Sequence, residues 1–545
     1  MSTSTEVHAV LANGLPPVAG KAYAFDLTVV LSLALLLRLL TYNGLLGSDD
    51  GTYLGRAIDV AKGHWSSANY NGALRYGFNI PAGLFVWLFG TSAFAANLWP
   101  LLCSLIEVGA AYAIATSVLD RRAGLFAALL LATAPLHIAV ATRIHADSVV
   151  SMFITVSFVL LWFGWLRRDT RLLFASGLAI GGIFWAKELV AVLWLAFVPL
   201  LWMFRGRWRD TLPVIGGLLL TLLLHGLLMT WIAGDPLHLV KTVLGQVNTN
   251  FIGEMKGEDA AGYYLRYLFV DVRHNGLIAL LALAALWFVP TELRSRGIAR
   301  TGFGFVLAWL VSVLLVLSVF PVSLDPLRFV MKQSNYITLF LAPMAVLAGL
   351  ALASMPRPLA MPLLLLSALI GVFLGLMQQA DYRAFGANSK SLGEWAASQS
   401  QPVVVVGSVN NASLGPLWAR HQVGGRPVLI ESFRDLAKPA AQAAVREAAP
   451  GSLYAVLDAQ TMSWQGGDTL VKGALPCWEW QSKISPLGLG AGNIVAAYVV
   501  KLAHAGVASG LPKMNAIASA FEVLALPKPA DLYRVAGADP LCRAE

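Results

Sequence analysis

The stretch Ala93–Val118, AFAANLWPLLCSLIEVGAAYAIATSV, decides the fold of this chain. Glu107 is its only charged side chain. An α-helix rises about 1.5 Å per residue, so a helix of this length exceeds the roughly 30 Å of hydrocarbon in a bilayer. The stretch therefore predicts a transmembrane helix.

Apolar runs of similar character recur along the first two thirds of the chain. We predict about eleven spans, near 25–42, 93–118, 122–141, 147–166, 171–186, 188–204, 210–232, 276–290, 303–320, 335–353 and 358–377. Hydrophobic residues make up 57% of the chain and charged residues 13%, about half the charged fraction of a soluble domain. The composition thus predicts a mostly α, polytopic membrane protein.

The net charge of +9 does not indicate nucleic-acid binding, because the arginines cluster in alternate short connections between the apolar runs. These connections lie near 121–122, 167–171, 205–209, 294–300 and 357. Arginine-rich short loops normally face the cytoplasm. We therefore expect residues 1–24 to form a cytoplasmic tail and the C-terminus to lie outside.

The chain changes character at about residue 385. We predict a membrane module over 25–384 and an extracytoplasmic α/β domain over 385–545, with a buried strand at 401–407 and another at Asn493–Lys501. The run Gly488-Leu-Gly490-Ala-Gly492 looks like a dinucleotide loop, but such a loop must open a helix. Because we predict a strand after it, we exclude nucleotide binding.

Cys477 and Cys542 both lie in this C-terminal region. They could form a disulfide in an oxidising compartment or stay as free thiols.

The first outer loop carries two adjacent carboxylates, Asp49 and Asp50. One interpretation is helix capping, with Ser48 or Asp49 satisfying free N–H groups. The other is catalysis, because a carboxylate beside a lipid headgroup could take a proton from an acceptor hydroxyl. The predicted topology places both acids outside.

Asp147 is the second candidate, at the outer start of the fourth span, close to Arg143 and His145. A simple ion pair between Arg143 and Asp147 would also explain it. Ionisable groups at the edge of a membrane are costly unless they meet water, each other or a ligand. The topology puts Asp147 on the same side as Asp49 and Asp50.

Lys187 interrupts two apolar runs at the next outer turn. It could bind a phosphate as a point charge or pair with its neighbour Glu188. Most of the other outer-face cations fit anchors for lipid headgroups, and two or three of them could clamp a lipid-linked phosphate. The other outer-face cations are Arg56, Lys62, Arg75, Arg266, Arg273, Arg328 and Lys332.

Several motifs resemble the GT-C glycosyltransferases, in particular the bacterial branch related to protein O-mannosyltransferases and the lipid A aminoarabinose transferase. They are Asp49-Asp50-Gly-Thr-Tyr53, the stretch from Arg143 to Asp147, and Lys332-Gln-Ser-Asn335-Tyr336. Leu98–Leu105 and Arg121-Arg122-Ala-Gly124 are similar to the branch that includes rhizobial galacturonosyltransferases. The resemblance runs through most of residues 25–380.

The resemblance implies that Asp49 is the general base, with Asp50 beside it, and that Asp147 is the second-loop acid of the family. The lysine-proline-proline motif of many members is Asn79-Ile80-Pro81 here, so its phosphate-binding lysine is absent. The cations expected at the donor phosphate are Lys187, Arg75, Arg143, His145, Arg266 and Lys332.

The expected activity is inverting transfer of a sugar from a polyprenyl-phosphate donor to a glycolipid, glycan or protein acceptor, at the outer face of a bacterial inner membrane. No cofactor is required and no metal site is predicted, although the outer acids could hold a divalent cation. A lipid-linked sugar transporter or flippase is one alternative. Such proteins often contain internal repeats and broken helices. A non-enzymatic envelope assembly protein is the other.

Overall fold

In a computed structural model of the protein, the apolar runs form helices. The structure describes residues 21–47, 49–203, 205–246, 261–293, 297–325, 327–423, 427–464, 469–536 and 541–542. Ser48, one of the two capping candidates, lies outside the described residues. The prediction of a mostly α, polytopic membrane protein is confirmed.

The α-helices are numbered in chain order. They are α1 Lys21–Leu40, α2 Asp50–Ala61, α3 Tyr76–Phe89, α4 Ala93–Val118, α5 Arg121–Ala132, α6 Pro135–Ala141, α7 Ala146–Arg167, α8 Thr170–Ala186, α9 Val198–Met203, α10 Thr211–Ala233, α11 His238–Gln246, α12 Tyr263–Phe269, α13 Ile278–Leu293, α14 Gly297–Val319, α15 Thr338–Ser354, α16 Arg357–Ser398, α17 Val409–Trp418, α18 Pro439–Arg446, α19 Ala491–Ala508 and α20 Met514–Ala525. Short 3-10 segments include Asn71–Leu74, Glu188–Phe197 and Ser334–Ile337.

Among the described residues, eight helices are long and apolar enough to cross a membrane. The count is nine if α5 and α6, bent by 61° at their junction, form one span. Each of the eleven predicted runs coincides with a helix or with two consecutive helical segments. The run at 188–204 is a 3-10 segment followed by the short α9, so it is broken rather than one continuous α-helix.

The chain forms two compact units. The first contains the described parts of 1–40, 56–88 and 97–375, and the second those of 41–55, 89–96 and 376–545. The first outer loop therefore groups with the C-terminal region and not with the membrane helices. Helix α16 continues through the predicted boundary at 385 to Ser398. Its apolar run ends at Met377, and the rest of the helix, nearly six turns, is more polar.

Basic turns meet at one end of the first unit. Arg121, at the start of α5, donates to Asp26 near the start of α1 at 2.7 Å. Arg122 donates to the carbonyls of Ala353 and Met355, where α15 ends, at 3.5 Å. The turn that carries Arg121 and Arg122 thus lies beside the end of α15, close in sequence to Arg357.

Glycine allows α8 and α10 to approach closely. A Cβ at Gly177 would lie 2.0 Å from the carbonyl oxygen of Val214, and one at Gly217 would lie 2.2 Å from that of Phe174. Small residues at such crossings let backbones touch where lipid supplies no hydrophobic driving force.

A buried polar network crosses the middle of the first unit. Arg38 donates to Ser104 at 2.7 Å and lies 2.7 Å from Nδ1 of His137. His137 Nε2 lies 3.1 Å from Glu107, which accepts from Ser151 at 2.7 Å. Arg38, Glu107 and His137 are all fully buried, so each offsets the cost of burying the others.

The second unit holds a five-stranded sheet in the order β4-β3-β5-β7-β6. Its strands are β3 Val404–Gly407, β4 Leu429–Ser432, β5 Leu453–Leu457, β6 Trp478–Ile484 and β7 Ala530–Val535; β1 and β2 are a separate hairpin, Pro321–Leu324 and Leu327–Phe329. Strands β4, β3 and β5 are parallel, while β7 and β6 are antiparallel. The buried strand predicted at 401–407 is confirmed as β3.

The strand predicted at Asn493–Lys501 is wrong, because these residues belong to helix α19. The β-branched Ile494, Val495, Val499 and Val500 suggested a strand. The buried positions of α19 are instead Gly492, Asn493, Ala496 and Ala503, which follow the period of a helix.

The glycine-rich run therefore does open a helix, and the stated ground for excluding nucleotide binding fails. Its glycines have a packing role instead. A Cβ at Gly492 would lie 1.9 Å from the carbonyl oxygen of Leu376, and one at Gly490 would lie 3.0 Å from the Gln379 amide. Asn493 accepts from Gly490 N–H at 2.7 Å and caps the helix.

Cys477 and Cys542 form a disulfide, with their Cα atoms 6.2 Å apart. It ties the start of the edge strand β6 to the end of the chain. Cys103 is a buried free thiol.

Candidate active site

Asp147 is the centre of a buried cluster in the first unit. Its carboxylate accepts from Lys187 Nζ at 2.6 Å and lies 2.9 Å from His145 Nδ1. The Asn335 amide also donates to it. Asp147, Lys187, His145, Asn335 and Tyr336, whose ring centroid is 4.6 Å from Lys187 Nζ, are called the Asp147 cluster below.

Local structure explains how these side chains meet. His145 is the N-cap of α7, so Asp147 lies in the first turn, where the helix dipole favours a carboxylate. Lys187 lies at the end of α8, and Asn335 lies in the 3-10 turn before α15. Helix α7 begins at the cluster and ends at Arg167, so the cluster lies at the opposite end of this helix from its basic turn.

A second buried ion pair adjoins this cluster through the peptide bond between Lys187 and Glu188. Arg75 Nε and Nη2 donate to the two carboxylate oxygens of Glu188, each at 3.0 Å, and Asn71 donates to the same group at 2.7 Å. These donors balance and satisfy the buried carboxylate of Glu188.

The pairing between neighbours that the sequence suggested for Lys187 is not the one observed. Lys187 pairs with Asp147 and not with its neighbour Glu188. Asp147 pairs with Lys187 and His145. Asp147 and Glu188 thus each have a cationic partner that is distant in sequence, and the charge of Lys187 is balanced by Asp147.

The other predicted cations have different surroundings. Lys332 is fully buried, with its ammonium 5.1 Å from the ring centroid of Phe329. Arg266 is exposed on α12, while Arg143 is half-buried in the turn before α7.

Burial raises the pKa of Tyr264 well above its ordinary value, and the nearby Tyr336 adds to the effect.

The sequence assigned no catalytic or binding role to Glu188 and Asn71 of the adjoining ion pair or to Asn335 of the Asp147 cluster. Asn335 lies next to Tyr336 in the motif Lys332-Gln-Ser-Asn335-Tyr336, and this motif was the sequence signal that could have identified it. Asn71 carried no signal, because its partner lies 117 residues away.

Asp49 and Asp50 belong to the second unit and differ in exposure. Asp50 is fully buried in the first turn of α2, and its carboxylate accepts from Leu46 N–H at 2.9 Å. Asp49 is half-buried, and its backbone carbonyl accepts from Tyr53 N–H at 3.0 Å. Asp50 therefore shapes the loop, whereas part of Asp49 reaches solvent.

The C-terminal region holds this loop in place. Asn410 donates to the carbonyl of Leu46 at 2.8 Å, and Ser413 donates to that of Gly47. Arg383 donates through Nε to the carbonyl of Tyr42 at 3.1 Å and through Nη1 to that of Gly488 at 2.9 Å.

Lys390 is buried near this loop, on the polar half of α16 beyond Met377. Burial, assisted by Arg383, lowers the pKa of Lys390 to about 7, while the Asp50 carboxylate opposes the shift. Its ammonium lies 5.1 Å from the Trp418 ring centroid. The second unit thus holds a lysine whose charge changes near neutral pH.

Within the described residues, no three histidine, cysteine, aspartate or glutamate side chains come together in a metal-binding group.

A family model described as dolichyl-phosphate-mannose-protein mannosyltransferase matches residues 79–231. The structure is similar to ArnT from Cupriavidus metallidurans bound to undecaprenyl phosphate, with a TM-score of 0.56 and 17% identity over 82% of this chain and 94% of that chain. These are membrane glycosyltransferases of the GT-C superfamily. The chain has the GT-C fold.

Two other solved structures with the GT-C fold are also similar. Apo ArnT from the same organism gives a TM-score of 0.55 and 18% identity, over 81% of this chain and 93% of that chain. The Archaeoglobus fulgidus oligosaccharyltransferase in complex with zinc and sulfate gives 0.50 and 14%, over 84% and 72%. No curated protein sequence matches this chain.

Proposed function

We propose that this protein is an inverting glycosyltransferase that moves one sugar from a polyprenyl-phosphate donor to an acceptor at the extracytoplasmic face of a bacterial inner membrane. The GT-C fold and the partial match to a dolichyl-phosphate-mannose-dependent family support a transferase. The undecaprenyl phosphate bound to ArnT supports a polyprenyl carrier.

The observation that carries the proposal is the contrast between Asp49 and Asp50. One carboxylate of the pair is buried and bonded to the backbone of its loop, and the other remains partly accessible. A partly accessible carboxylate on a loop held in place suits a general base.

In the proposed reaction Asp49 removes the proton of an acceptor hydroxyl. The hydroxyl oxygen attacks the anomeric carbon, the bond from that carbon to the phosphate oxygen breaks, and its electron pair leaves with the polyprenyl phosphate. Because attack and departure take place on opposite faces, the configuration inverts. The leaving phosphate is already ionised, so nearby cations stabilise it without a proton donor.

The cations proposed to hold the donor phosphate are those near the Asp147 cluster. Lys187 and Arg75 are oriented by carboxylate partners, so a phosphate would meet positioned donors rather than mobile side chains. Arg143, His145, Lys332 and the exposed Arg266 are the further candidates. No cofactor is part of this proposal, and chelator treatment of the purified enzyme tests for a divalent cation.

The disulfide between Cys477 and Cys542 supports the extracytoplasmic location, since disulfides persist in oxidising compartments. The proposed acceptor is a glycolipid, glycan or protein of the envelope.

The test compares envelope lipids and glycans, by mass spectrometry, from cells with and without the gene. We expect one envelope component to lose the mass of a single sugar in the deletion strain. The purified protein in liposomes should then restore that sugar from a polyprenyl-phosphate donor. Unchanged envelope glycans, together with no transfer from any polyprenyl-phosphate sugar supplied, would contradict the proposal.

A lipid-linked sugar transporter is a second candidate, favoured by the bend between α5 and α6 and by the broken segment from Glu188 to Met203. Broken helices occur where transporters bind substrates. Liposomes distinguish the two functions, because a transporter moves the intact donor across the bilayer whereas a transferase cleaves it.

A further inference from the structure

Helices α19 and α20 form a hairpin of the second unit that exposes much apolar surface. Their buried residues are Gly492, Asn493, Ala496 and Ala503 on α19 and Ala518 on α20. Seven large apolar side chains are 41% to 69% exposed: Ile494, Tyr498, Leu502, Leu511, Ile517, Val523 and Leu526. A contiguous apolar surface of this kind marks contact with a partner or a membrane.

The hairpin begins where α16 leaves the hydrocarbon. Gly492 N–H donates to the Gln379 side chain at 2.7 Å, and the Asn493 amide donates to the carbonyl of Ala380 at 3.1 Å. The apolar run of α16 ends at Met377, directly before Gln378 and Gln379. The start of α19 is thereby fixed beside the end of the apolar run of α16.

Exposed apolar residues lie on both α16 and α19. Leu365, Leu366 and Leu369 of α16 are about half exposed or more, within the run that crosses the bilayer. On α19, Ile494, Tyr498 and Leu502 are spaced by four residues and so lie on one helix face. Each of the two helices thus presents exposed apolar side chains on its own surface.

The polar residues of the hairpin fit a headgroup layer. Lys501, Lys513 and Lys528 are exposed, whereas Glu522 is the only acid between residues 489 and 528, giving a net charge of +2. Glu522 lies 3.3 Å from His504. Lysine near anionic headgroups is favourable, and tyrosine suits the membrane interface.

We propose that the α19–α20 hairpin lies in the boundary between headgroups and acyl chains, in the leaflet from which α16 emerges, as a second membrane attachment of the C-terminal domain. The apolar face enters the acyl-chain region, and the lysines reach the phosphates. The occupant of this surface is lipid, as for an interfacial amphipathic helix.

The test uses the full-length protein in nanodiscs of phosphatidylethanolamine and phosphatidylglycerol, at one copy per disc. Ile494→Cys, Tyr498→Cys and Leu502→Cys each receive an environment-sensitive fluorophore. Cys103 is buried and the other cysteines are bonded, so labelling of the parent measures the background. Gln481→Cys, on an exposed position of β6, is the matched control for a water-facing site.

We expect spin labels on the acyl chains to quench the three hairpin positions several-fold more than the Gln481 position, and iodide to show the reverse order. Size-exclusion profiles matching the parent verify folding. Equal iodide quenching at all four positions, without quenching by the acyl-chain labels, would overturn the proposal and leave the surface to a protein partner or a second copy.

Discussion

Asp49 and Asp50 differ by one position in sequence and by their hydrogen bonds in the structure. Asp49→Asn removes proton acceptance but keeps the size and capping ability of the side chain, so we expect about a hundred- to ten-thousand-fold loss of kcat. Asp50→Asn keeps an oxygen for the Leu46 N–H and should lose much less. Transfer assays at saturating donor and acceptor measure both.

If capping were the only role of Asp49, its Asn variant would fold and keep parental activity. That outcome would defeat its assignment as the base, and a large loss in the Asp50 variant alone would move the base by one residue.

Lys187 and Asp147 form a buried pair, so a single substitution tests folding as well as binding. Lys187→Met leaves the Asp147 carboxylate without its closest cation, and removal of one partner of a buried pair costs roughly 3–5 kcal/mol. We expect Asp147→Asn combined with Lys187→Met to recover most of the thermal stability. Binding of polyprenyl phosphate to this double variant, measured by fluorescence titration, should remain weaker than to the parent.

The single variant Asp147→Asn is the control, since it retains the cation. If the double variant binds polyprenyl phosphate as tightly as the parent does, Lys187 serves only as the counter-ion of Asp147.

Lys390 gives the second unit a pH-dependent stability. Its pKa is about 7 in the folded protein against an ordinary value of 10.5, so the unfolded state binds more protons between these values and stability rises with pH across that window. We expect Lys390→Met to melt at a higher temperature than the parent at about pH 6. The difference should shrink as the pH rises toward 10.5.

Melting curves followed by size-exclusion chromatography over this pH range provide the measurement. A constant difference at every pH would mean that Lys390 does not titrate near neutrality.

At the level of elements, the crossing of α8 and α10 depends on glycine at defined positions. Gly217→Leu places a side chain where a Cβ already lies 2.2 Å from the Phe174 carbonyl oxygen, and overpacking of this kind costs about 1–3 kcal/mol or more. Gly216→Leu is the matched control, because its Cβ would stay 3.8 Å from the Phe174 ring. We expect only the first variant to melt clearly earlier in detergent, and equal melting would show that the helices can separate at little cost.

The helices were predictable because hydrocarbon thickness fixes the length of an apolar run, as for α4 and α7. Regions outside that constraint were harder. The β-branched residues of α19 favour a strand, whereas its start packs on α16 through Gly492 and Asn493. The turn at Lys187 was predicted between the runs 171–186 and 188–204, whereas the 3-10 form of Glu188–Phe197 left no signal in the hydropathy.

For the candidate site, the predicted topology alone placed Asp147, His145 and Lys187 on the same face of the membrane. It could not assign the ion pairs. Lys187 and Glu188 are adjacent, so they could pair with each other or each with a group from a distant segment. The choice depends on where α7, α8 and the 71–75 segment meet in space. The buried role of Asp50 was equally hidden, because a backbone N–H partner leaves no signal in side-chain chemistry.

For the whole molecule, the alternation of basic turns predicts which side each end faces. Ser463 is exposed in the second unit, and we expect Ser463→Cys to react with an impermeant thiol reagent in intact spheroplasts, because the proposed topology places residues 385–545 outside. A cysteine at Arg168, in the turn after α7, is the control and should react only after lysis. The reverse labelling order would invert the topology and remove the basis for an extracytoplasmic reaction.

The loop that carries Asp49 folds with the C-terminal domain, through Asn410, Ser413 and Arg383. A recombinant chimera that exchanged only residues 376–545 with a relative would pair a native loop with foreign anchoring side chains. The specificity of the relative for its sugar or acceptor would then be poorly transferred to the chimera. Segments 41–55 and 376–545 should be exchanged together, as one discontinuous cassette, and selection should constrain them as one heritable unit.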